Sequence, residues 1–194
     1  MKRDVKKTQA ANGAIRIISG QWRGRKLPVM NVQGLRPTTD RNKETLFNWL
    51  MAHTQDSRCL DVFAGSGGLG FEALSRYAKH VTFIELDKNV ARNLQQNLIT
   101  LKATEDSAKV LCGDALGYLK QLNDEFDLLF LDPPFNQNLV PKAIEGIEQG
   151  GLLAKDGVIY IECETQNAQY NVPPQWRLLK ESQTSQVTAR LYQG

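Results

Sequence analysis

The chain contains few of the residues that commonly bind metal ions or form covalent cross-links. Three cysteines and two histidines occur among 194 residues, and no two cysteines form a C-x-x-C pair. Cys59, Cys112 and Cys163 each fall in a segment predicted to be a strand. Because a structural zinc site needs a closely spaced set of such ligands, the sequence predicts no metal site and no disulfide framework. We expect three buried, reduced thiols.

Long hydrophobic runs are also missing. No stretch approaches the roughly 20 apolar residues that span a bilayer, and residues 1–13 are polar and basic, without the apolar core of a secretory signal. We therefore expect a cytoplasmic protein with no membrane partner. The sequence shows no internal repeat, low-complexity tract or interdomain linker. A hydrophobic content of 41% over 194 residues suits a single domain with a full core, and we expect a monomer.

Positive charge is concentrated at the front of the chain. Residues 1–43 contain eleven Lys or Arg and two acids, and the remainder contains thirteen and nineteen. Such a basic segment suits contact with RNA phosphates, and Trp22 beside Arg23 and Arg25 could stack on a base. The alternative is a solvated charged face with Trp22 packed inward. Residues 1–12 offer few apolar side chains for burial, so we expect a disordered tail that orders on RNA.

Asp132-Pro133-Pro134-Phe135 is the most informative segment of the chain. It follows the apolar run at residues 126–131, so it lies where a buried strand ends, and open α/β sheets build their active sites there. The Asp132 carboxylate and the Pro133 carbonyl could accept from the two N–H bonds of an exocyclic base amine, and Phe135 could stack on the base. Proline fixes the backbone and removes competing donors. This arrangement predicts modification of an exocyclic amine; the alternative is a Pro-Pro turn that ends a core strand.

A strand, a glycine-rich loop and a helix come earlier in the chain. The strand at residues 59–64 leads into Gly65-Ser66-Gly67-Gly68-Leu69-Gly70, and the helix follows at residues 71–77. Glycines let backbone approach a ligand closely, and the N–H groups at a helix start favour a carboxylate or phosphate. The same pattern fits a dinucleotide-binding loop, or a βα turn that binds nothing.

Acids follow the next two predicted strands. Glu85 ends the strand predicted at residues 80–85 and lies twenty residues beyond Gly65, the spacing at which a carboxylate reaches the hydroxyls of a bound ribose. Asp87 is interpreted as the N-cap of the helix at residues 88–101. Asp114 follows the strand at residues 108–112, where it could accept from an adenine amino group or cap a helix.

In this order and spacing, these residues resemble class I methyltransferases that use S-adenosylmethionine. Their successive motifs match Asp61 to Gly70, Glu85, Asp114, and Asp132 to Phe135. The front half, with Arg36-Pro37-Thr38-Thr39-Asp40-Arg41 and the segment at residues 16–28, resembles the bacterial RsmD family. That resemblance covers residues 14–193 and implies methylation of guanine N2 in small-subunit (16S) ribosomal RNA, free or within the small subunit.

The resemblance also implies a set of site residues. The catalytic segment is Asp132, Pro133, Pro134 and Phe135, and the cofactor contacts are Asp61, Gly65, Gly67, Gly70, Glu85 and Asp114. Candidate RNA contacts, chosen by charge and position, are Arg16, Arg23, Arg25, Arg36, Arg41 and Lys43. Arg36 and Thr38 are equally candidates for the carboxylate of the cofactor.

The predicted architecture is a single Rossmann-like α/β domain. Residues 13–51 form a basic β-hairpin, at residues 14–29, and a helix at residues 41–51. Residues 52–194 form the catalytic domain, a mostly parallel sheet of about seven strands with a C-terminal antiparallel hairpin. A helix at residues 139–149 and a strand at residues 157–163 precede that hairpin, which comprises residues 176–180 and 187–192.

Three other functions fit part of the sequence. A DNA methyltransferase acting on adenine N6 or cytosine N4 would use the same holder for an amine, although no separate target-recognition domain is evident. An NAD-dependent oxidoreductase fits the glycine loop and Glu85 but leaves Asp132 to Phe135 unexplained. A non-enzymatic RNA-binding module would show a cofactor site that binds nothing.

Overall fold

The chain folds around a mixed β-sheet with helices on both faces. The structure is a computed structural model and describes residues 13–30 and 40–194, with side chains from residue 43 onward in the second range. The disorder predicted for residues 1–12 and the roles suggested for Arg36 and Thr38 lie outside these residues. The side chain of Arg41 lies outside them as well.

The elements alternate in the way that the sequence predicts. The strands are β1 (Gly13–Arg16), β2 (Lys26–Val29), β3 (Arg58–Asp61), β4 (His80–Glu85), β5 (Ala108–Cys112), β6 (Phe126–Leu131), β7 (Leu153–Glu164), β8 (Arg177–Gln183) and β9 (Val187–Gln193). The helices are α1 (Asp40–Trp49), α2 (Gly68–Ser75), α3 (Lys88–Leu101), α4 (Ala115–Leu119) and α5 (Val140–Gln149).

Within the described residues, seven strands form the main sheet in the order β5-β4-β3-β6-β7-β9-β8. The first five are parallel, and β9 pairs antiparallel with both β7 and β8. Strands β3, β4 and β5 follow one another in one direction, and β6 then returns to the other side of β3. This reversal leaves a crevice beyond the carboxyl ends of β3 and β6, which is where ligands bind in open α/β sheets.

The two faces of the sheet carry separate hydrophobic clusters. One cluster packs the β1–β2 hairpin, α1, α2 and α3 on the sheet and includes Phe47, Phe71 and Phe130. The other packs α4 and α5 on the opposite face and includes Leu119 and Ile144. Burial on both faces explains the continuous apolar run at residues 128–131 of β6, whereas Asp127 near the start of the strand is exposed.

Glu72 of α2 fastens the N-terminal hairpin to the sheet domain. Its carboxylate accepts from the backbone N–H groups of Ile18 and Ser19 at 2.8 and 3.0 Å, and it forms an ion pair with Arg76 at 2.8 Å. The backbone N–H of Gln21 donates to the carbonyl of Ser75 at 2.8 Å. The front of the chain is therefore bound to the outer end of α2.

The structure corrects the sequence predictions at three places. Helix α4 follows Asp114 and was not predicted, because five residues are too few to show helical periodicity. Strand β7 begins at Leu153, earlier than residue 157, and its pairing shifts register near Phe126. Cys112 is exposed, not buried as expected, because it ends β5, the edge strand of the sheet. Burial raises the pKa of the Cys59 thiol to about 12.

Gly70 is required by close packing between helix α2 and strand β4. A Cβ added there would lie 2.2 Å from the ring of Phe83, which is fully buried. We expect Gly70→Ala to lower the free energy of unfolding by about 1–3 kcal/mol, the usual cost of overpacking. Gly68→Ala is the matched control, because its Cβ would meet nothing closer than the Ser66 hydroxyl at 3.7 Å. Chemical denaturation of both variants checks this; equal stability would contradict it.

Candidate active site

Three adjacent strands of the sheet end at acidic residues beside one cavity. Glu85 ends β4, Asp61 ends β3, and Asp132 follows β6 directly. The cavity has a volume of about 930 Å³ and is lined by the loops after these strands and by Gly113 to Leu116 after β5. The structure therefore brings the motifs recognised in the sequence to one edge of the sheet.

The glycine-rich loop contributes to this cavity through only part of its length. Gly65, Ser66 and Gly68 line the cavity, whereas Gly67 and Gly70 do not. Gly67 has a φ of 79°, and a Cβ there would lie 2.4 Å from the ring of Phe71. Gly67 and Gly70 thus serve packing beneath the loop, and their contact with the cofactor stays a prediction.

Both carboxylate oxygens of Glu85 are held by backbone. Oε2 accepts from the N–H of Gly65 at 2.9 Å, and Oε1 accepts from the N–H of Asp87 at 2.7 Å. Burial raises the pKa of Glu85 in spite of these hydrogen bonds. Asp87 in turn caps α3, accepting from the N–H groups of Asn89 and Val90, as predicted. Glu85 is thus fixed in orientation at the cavity wall.

Asp61 and Asp114 also bind the starts of helices. Asp61 is buried, and its Oδ2 accepts from the backbone N–H of Gly70 at 3.1 Å. Burial raises the pKa of Asp61 to about 7. Asp114 caps α4 by accepting from the N–H of Gly117 at 2.7 Å. Capping was one of the two roles predicted for Asp114, and both acids also line the cavity.

The segment after β6 places a carboxyl group and an aromatic ring at the cavity. Asp132, Pro133, Pro134 and Phe135 all line it, and Pro133 is buried. Burial, together with the negative charges of Glu162 and Asp61, raises the pKa of Asp132 well above its usual range. Asn136, with a φ of 64°, turns the chain away, and its N–H donates to Glu164 of β7.

Glu162 is a cavity residue that the sequence analysis did not single out. It lies on β7 beside the Asp132 segment, and its Oε2 accepts from the hydroxyl of Tyr160. The register pairs Phe130 with Tyr160 and Leu131 with Ile161, so Asp132 and Glu162 are the next residues of two neighbouring strands. A signal was available, because Glu162 is an acid between the buried Ile161 and Cys163.

The basic front of the chain is largely exposed in the structure. Arg16, Arg23 and Arg25 are exposed, as contact with RNA phosphates requires. Lys43 is a correction: it is 2% exposed, and its Nζ donates to the carbonyl of Arg16. A buried ammonium is not available to RNA in this conformation. Trp22 is half-buried: it packs against the core, and part of its ring surface remains exposed to solvent.

Residues 13–30 and 40–194 hold no cluster of His, Cys, Asp and Glu that could bind a metal ion. None of the helices in this part of the chain is long and apolar enough to cross a membrane.

Sequence comparison identifies a family and several close relatives. The family model described as "Conserved hypothetical protein 95" matches residues 15–193. The ribosomal RNA small subunit methyltransferase D of Haemophilus influenzae is 53% identical over 98% of this chain and 100% of its own length. The protein of the same name from Escherichia coli is 50% identical over 97% of this chain and 94% of its own length.

Solved structures share the fold. An Escherichia coli protein, 48% identical, superposes with a TM-score of 0.86 over 93% of this chain and 98% of its own. A Haemophilus influenzae protein, 51% identical, gives a TM-score of 0.80 with the same coverage. The expected mostly parallel sheet with a C-terminal antiparallel hairpin, preceded by a basic hairpin and helix, is confirmed.

Proposed function

We propose, since this chain belongs to the RsmD family, that it is an S-adenosylmethionine-dependent methyltransferase acting on the exocyclic N2 of a guanine in small-subunit ribosomal RNA. The observation that carries the proposal is the half-buried carboxyl group of Asp132 beside Pro133 and Phe135, in the cavity that also contains Glu85. One cavity thus has a place for a base amine and a place for a ribose.

The charge of the cavity supports the choice of cofactor. Among the described residues, carboxylates dominate the charged lining of the cavity, which comprises Asp61, Glu85, Asp87, Asp114, Asp132 and Glu162 and one cation, Lys88. A sulfonium ligand with a net positive charge is stabilised there, whereas the pyrophosphate of NAD would be repelled. The lining therefore favours S-adenosylmethionine over the dinucleotide alternative.

Individual residues suit the parts of that cofactor. Glu85, oriented by two backbone N–H groups, would hold the ribose hydroxyls. Asp114 would accept from the adenine amine, and the backbone of Gly65, Ser66 and Gly68 would hold the methionine end. When bound, S-adenosylmethionine supplies an electrophilic methyl group, which the base nitrogen takes directly with the S–CH3 electron pair remaining on sulfur.

Asp132 then acts on the acceptor nitrogen. Its carboxylate and the Pro133 carbonyl accept from the amine, which directs the nitrogen lone pair out of conjugation with the ring. Asp132 takes the proton that leaves the nitrogen after transfer, and no covalent enzyme intermediate is needed. Positioning of the two reactants supplies most of the acceleration.

A labelling experiment tests the proposal. Labelled S-adenosylmethionine is incubated with the protein and with ribosomal RNA or small subunits from cells that lack it, and the digested nucleosides are analysed by mass spectrometry. We expect N2-methylguanosine in the small-subunit RNA. No incorporation into RNA, together with thermal stabilisation by S-adenosylmethionine, would favour the DNA methyltransferase. No incorporation, together with no thermal stabilisation by S-adenosylmethionine but stabilisation by NAD, would favour the oxidoreductase.

We expect Glu85→Ala to weaken binding of S-adenosylmethionine. Loss of a carboxylate hydrogen bond to a hydroxyl costs about 1.5–3 kcal/mol, or roughly 10- to 100-fold in Kd. Isothermal titration calorimetry measures this directly. Glu145→Ala is the control, because Glu145 is exposed on α5 and accepts only from Gln149 among the described residues. An unchanged Kd for Glu85→Ala would remove Glu85 from the cofactor site.

We also propose that the exposed front of the hairpin contacts RNA phosphates. Neutralising Arg23 and Arg25 should weaken RNA binding and flatten the plot of log K against log salt concentration by about one unit per lost contact. The control removes the same charge elsewhere, by replacing the exposed Lys120 and Lys142 with alanine. Filter binding across a salt series measures both slopes. Equal slopes in the two double variants would place Arg23 and Arg25 outside the interface.

A further inference from the structure

Two carboxyl groups, those of Asp132 and Glu162, line the part of the cavity in which the base amine is proposed to bind. Asp132 and Glu162 follow paired residues of the parallel strands β6 and β7, whose backbones lie about 4.8 Å apart. Both line the cavity. They therefore lie side by side, with the Glu162 carboxylate oriented in part by the hydroxyl of Tyr160.

The nucleobases differ in what they present beside the exocyclic amine. Guanine has two adjacent donors on its Watson–Crick edge, N2–H and N1–H. Adenine and cytosine have an amine beside a ring nitrogen that accepts. Ionised carboxylates only accept, so two of them side by side match guanine and oppose the other two bases, and a base held outside a helix is read along this edge.

We propose that Glu162 contacts the substrate and selects guanine by accepting from N1–H while Asp132 accepts from the N2 amine. The inference rests on the proposed function and adds a structural reason for the choice of base. Buried polar groups that are left unpaired by the wrong base would enforce that choice. Tyr160 is a positioning residue, since it touches Glu162 and holds its carboxylate at the cavity.

The test replaces the target guanine with 2-aminopurine. This base keeps the amine at C2 but carries a lone pair at N1, so it would face the Glu162 carboxylate with an acceptor. Small subunits are assembled around RNA that contains either base at the methylated position. We expect kcat/KM of the unmodified protein to be about 100-fold lower for 2-aminopurine. Equal use of both bases would overturn the proposal without any variant.

Glu162→Gln and Tyr160→Phe distinguish the selection of the base by Glu162 from the positioning of its carboxylate by Tyr160. The glutamine amide can donate through its N–H to N1 of 2-aminopurine, or accept through its oxygen from N1–H of guanine without the negative charge of a carboxylate. We therefore expect Glu162→Gln to lower kcat/KM for guanine about 10-fold and to narrow the preference for guanine over 2-aminopurine. Tyr160→Phe keeps the carboxylate and should keep the preference. An unchanged preference in Glu162→Gln, or the same narrowing in both variants, would overturn the assignment.

The pH profile gives a second readout. The groups that act on Asp132 by their charge are Glu162 and Asp61, and Tyr160 interacts with both Asp132 and Glu162. Activity requires ionised Asp132, so kcat falls as the pH drops through its pKa. Removing the charge of Glu162 lowers that pKa, and the acid limb of Glu162→Gln should move to lower pH. An unmoved limb would contradict the pairing of the carboxyl groups.

Failure of this proposal is distinguishable from failure of the proposed function. N2-methylguanosine formed by the unmodified protein establishes the reaction whatever the variants do. The affinity of each variant for S-adenosylmethionine, measured by calorimetry, and its melting temperature show whether a loss arises at the base or in folding.

Discussion

Asp132→Ala will lower kcat for methyl transfer by about 100- to 10,000-fold, the range that a positioned acid or base contributes, and will leave the Kd for S-adenosylmethionine nearly unchanged. The reason is that the proposed function places Asp132 at the acceptor amine and Glu85 at the ribose. Single-turnover transfer to small subunits measures the rate, and calorimetry measures the affinity.

Loss of fold will not explain that result. Because burial and neighbouring charge raise the pKa of Asp132 in the folded protein, its contribution to stability is present below the pKa of the unfolded chain and is lost as the pH rises through the folded pKa. The fold therefore disfavours the charged form of Asp132, and Asp132→Ala should melt no more than a few degrees below the unmodified protein.

Asp127→Asn is the control on the same strand. Asp127 lies at the other end of β6, is exposed, and accepts from the backbone N–H of Arg58 at 2.7 Å. It should keep full activity. A near-normal kcat in Asp132→Ala would refute the assignment of Asp132, and a comparable loss in Asp127→Asn would show that the strand as a whole is responsible.

Glu72→Ala should have the largest effect on stability. The carboxylate is 1% exposed and accepts from the N–H groups of Ile18 and Ser19 and from Arg76. Its removal leaves these donors without their partner, at a cost of about 3 kcal/mol. In a chain of this size that corresponds to a fall in Tm of roughly 6–12 °C.

Calorimetric melting and hydrogen exchange check this prediction. The amides of residues 13–29 should lose protection first, because Glu72 joins the hairpin to α2. Glu145→Ala, which removes an exposed carboxylate, should change the free energy of unfolding by less than about 0.5 kcal/mol. Equal melting temperatures for the two variants would show that the packing of Ile15 and Leu27 suffices to hold the hairpin.

Periodic and apolar patterns predicted the sheet domain well. Strands β4 and β5 and helix α3 have the predicted bounds, because each is bounded by a turn or cap and buries a regular set of side chains. Helix α4 was anticipated only through the capping role considered for Asp114, since five residues show no helical period and the burial of Leu119 against α5 depends on tertiary packing.

The candidate site was predictable where a motif coincides with a strand end. Asp61, Glu85, Asp114 and Asp132 reach one cavity because parallel strands share a direction. Two contacts are not encoded in sequence spacing: Lys43 turns inward to the carbonyl of Arg16, which removes it from the exposed basic surface, and Gly70 packs against Phe83. Glu162 was overlooked because its partner Asp132 is thirty residues away in sequence.

Helix α2 connects the cavity with the N-terminal hairpin. Its first residue, Gly68, lines the cavity, and its last turn carries Glu72 and Ser75, which hold the hairpin. Eight residues of helix span about 12 Å, so one rigid element links the cavity to the hairpin that carries Arg23 and Arg25. If these arginines contact RNA phosphates as proposed, the length of this helix sets the distance from them at which a base must stand to enter the cavity, and the shape of the RNA becomes part of what the protein recognises.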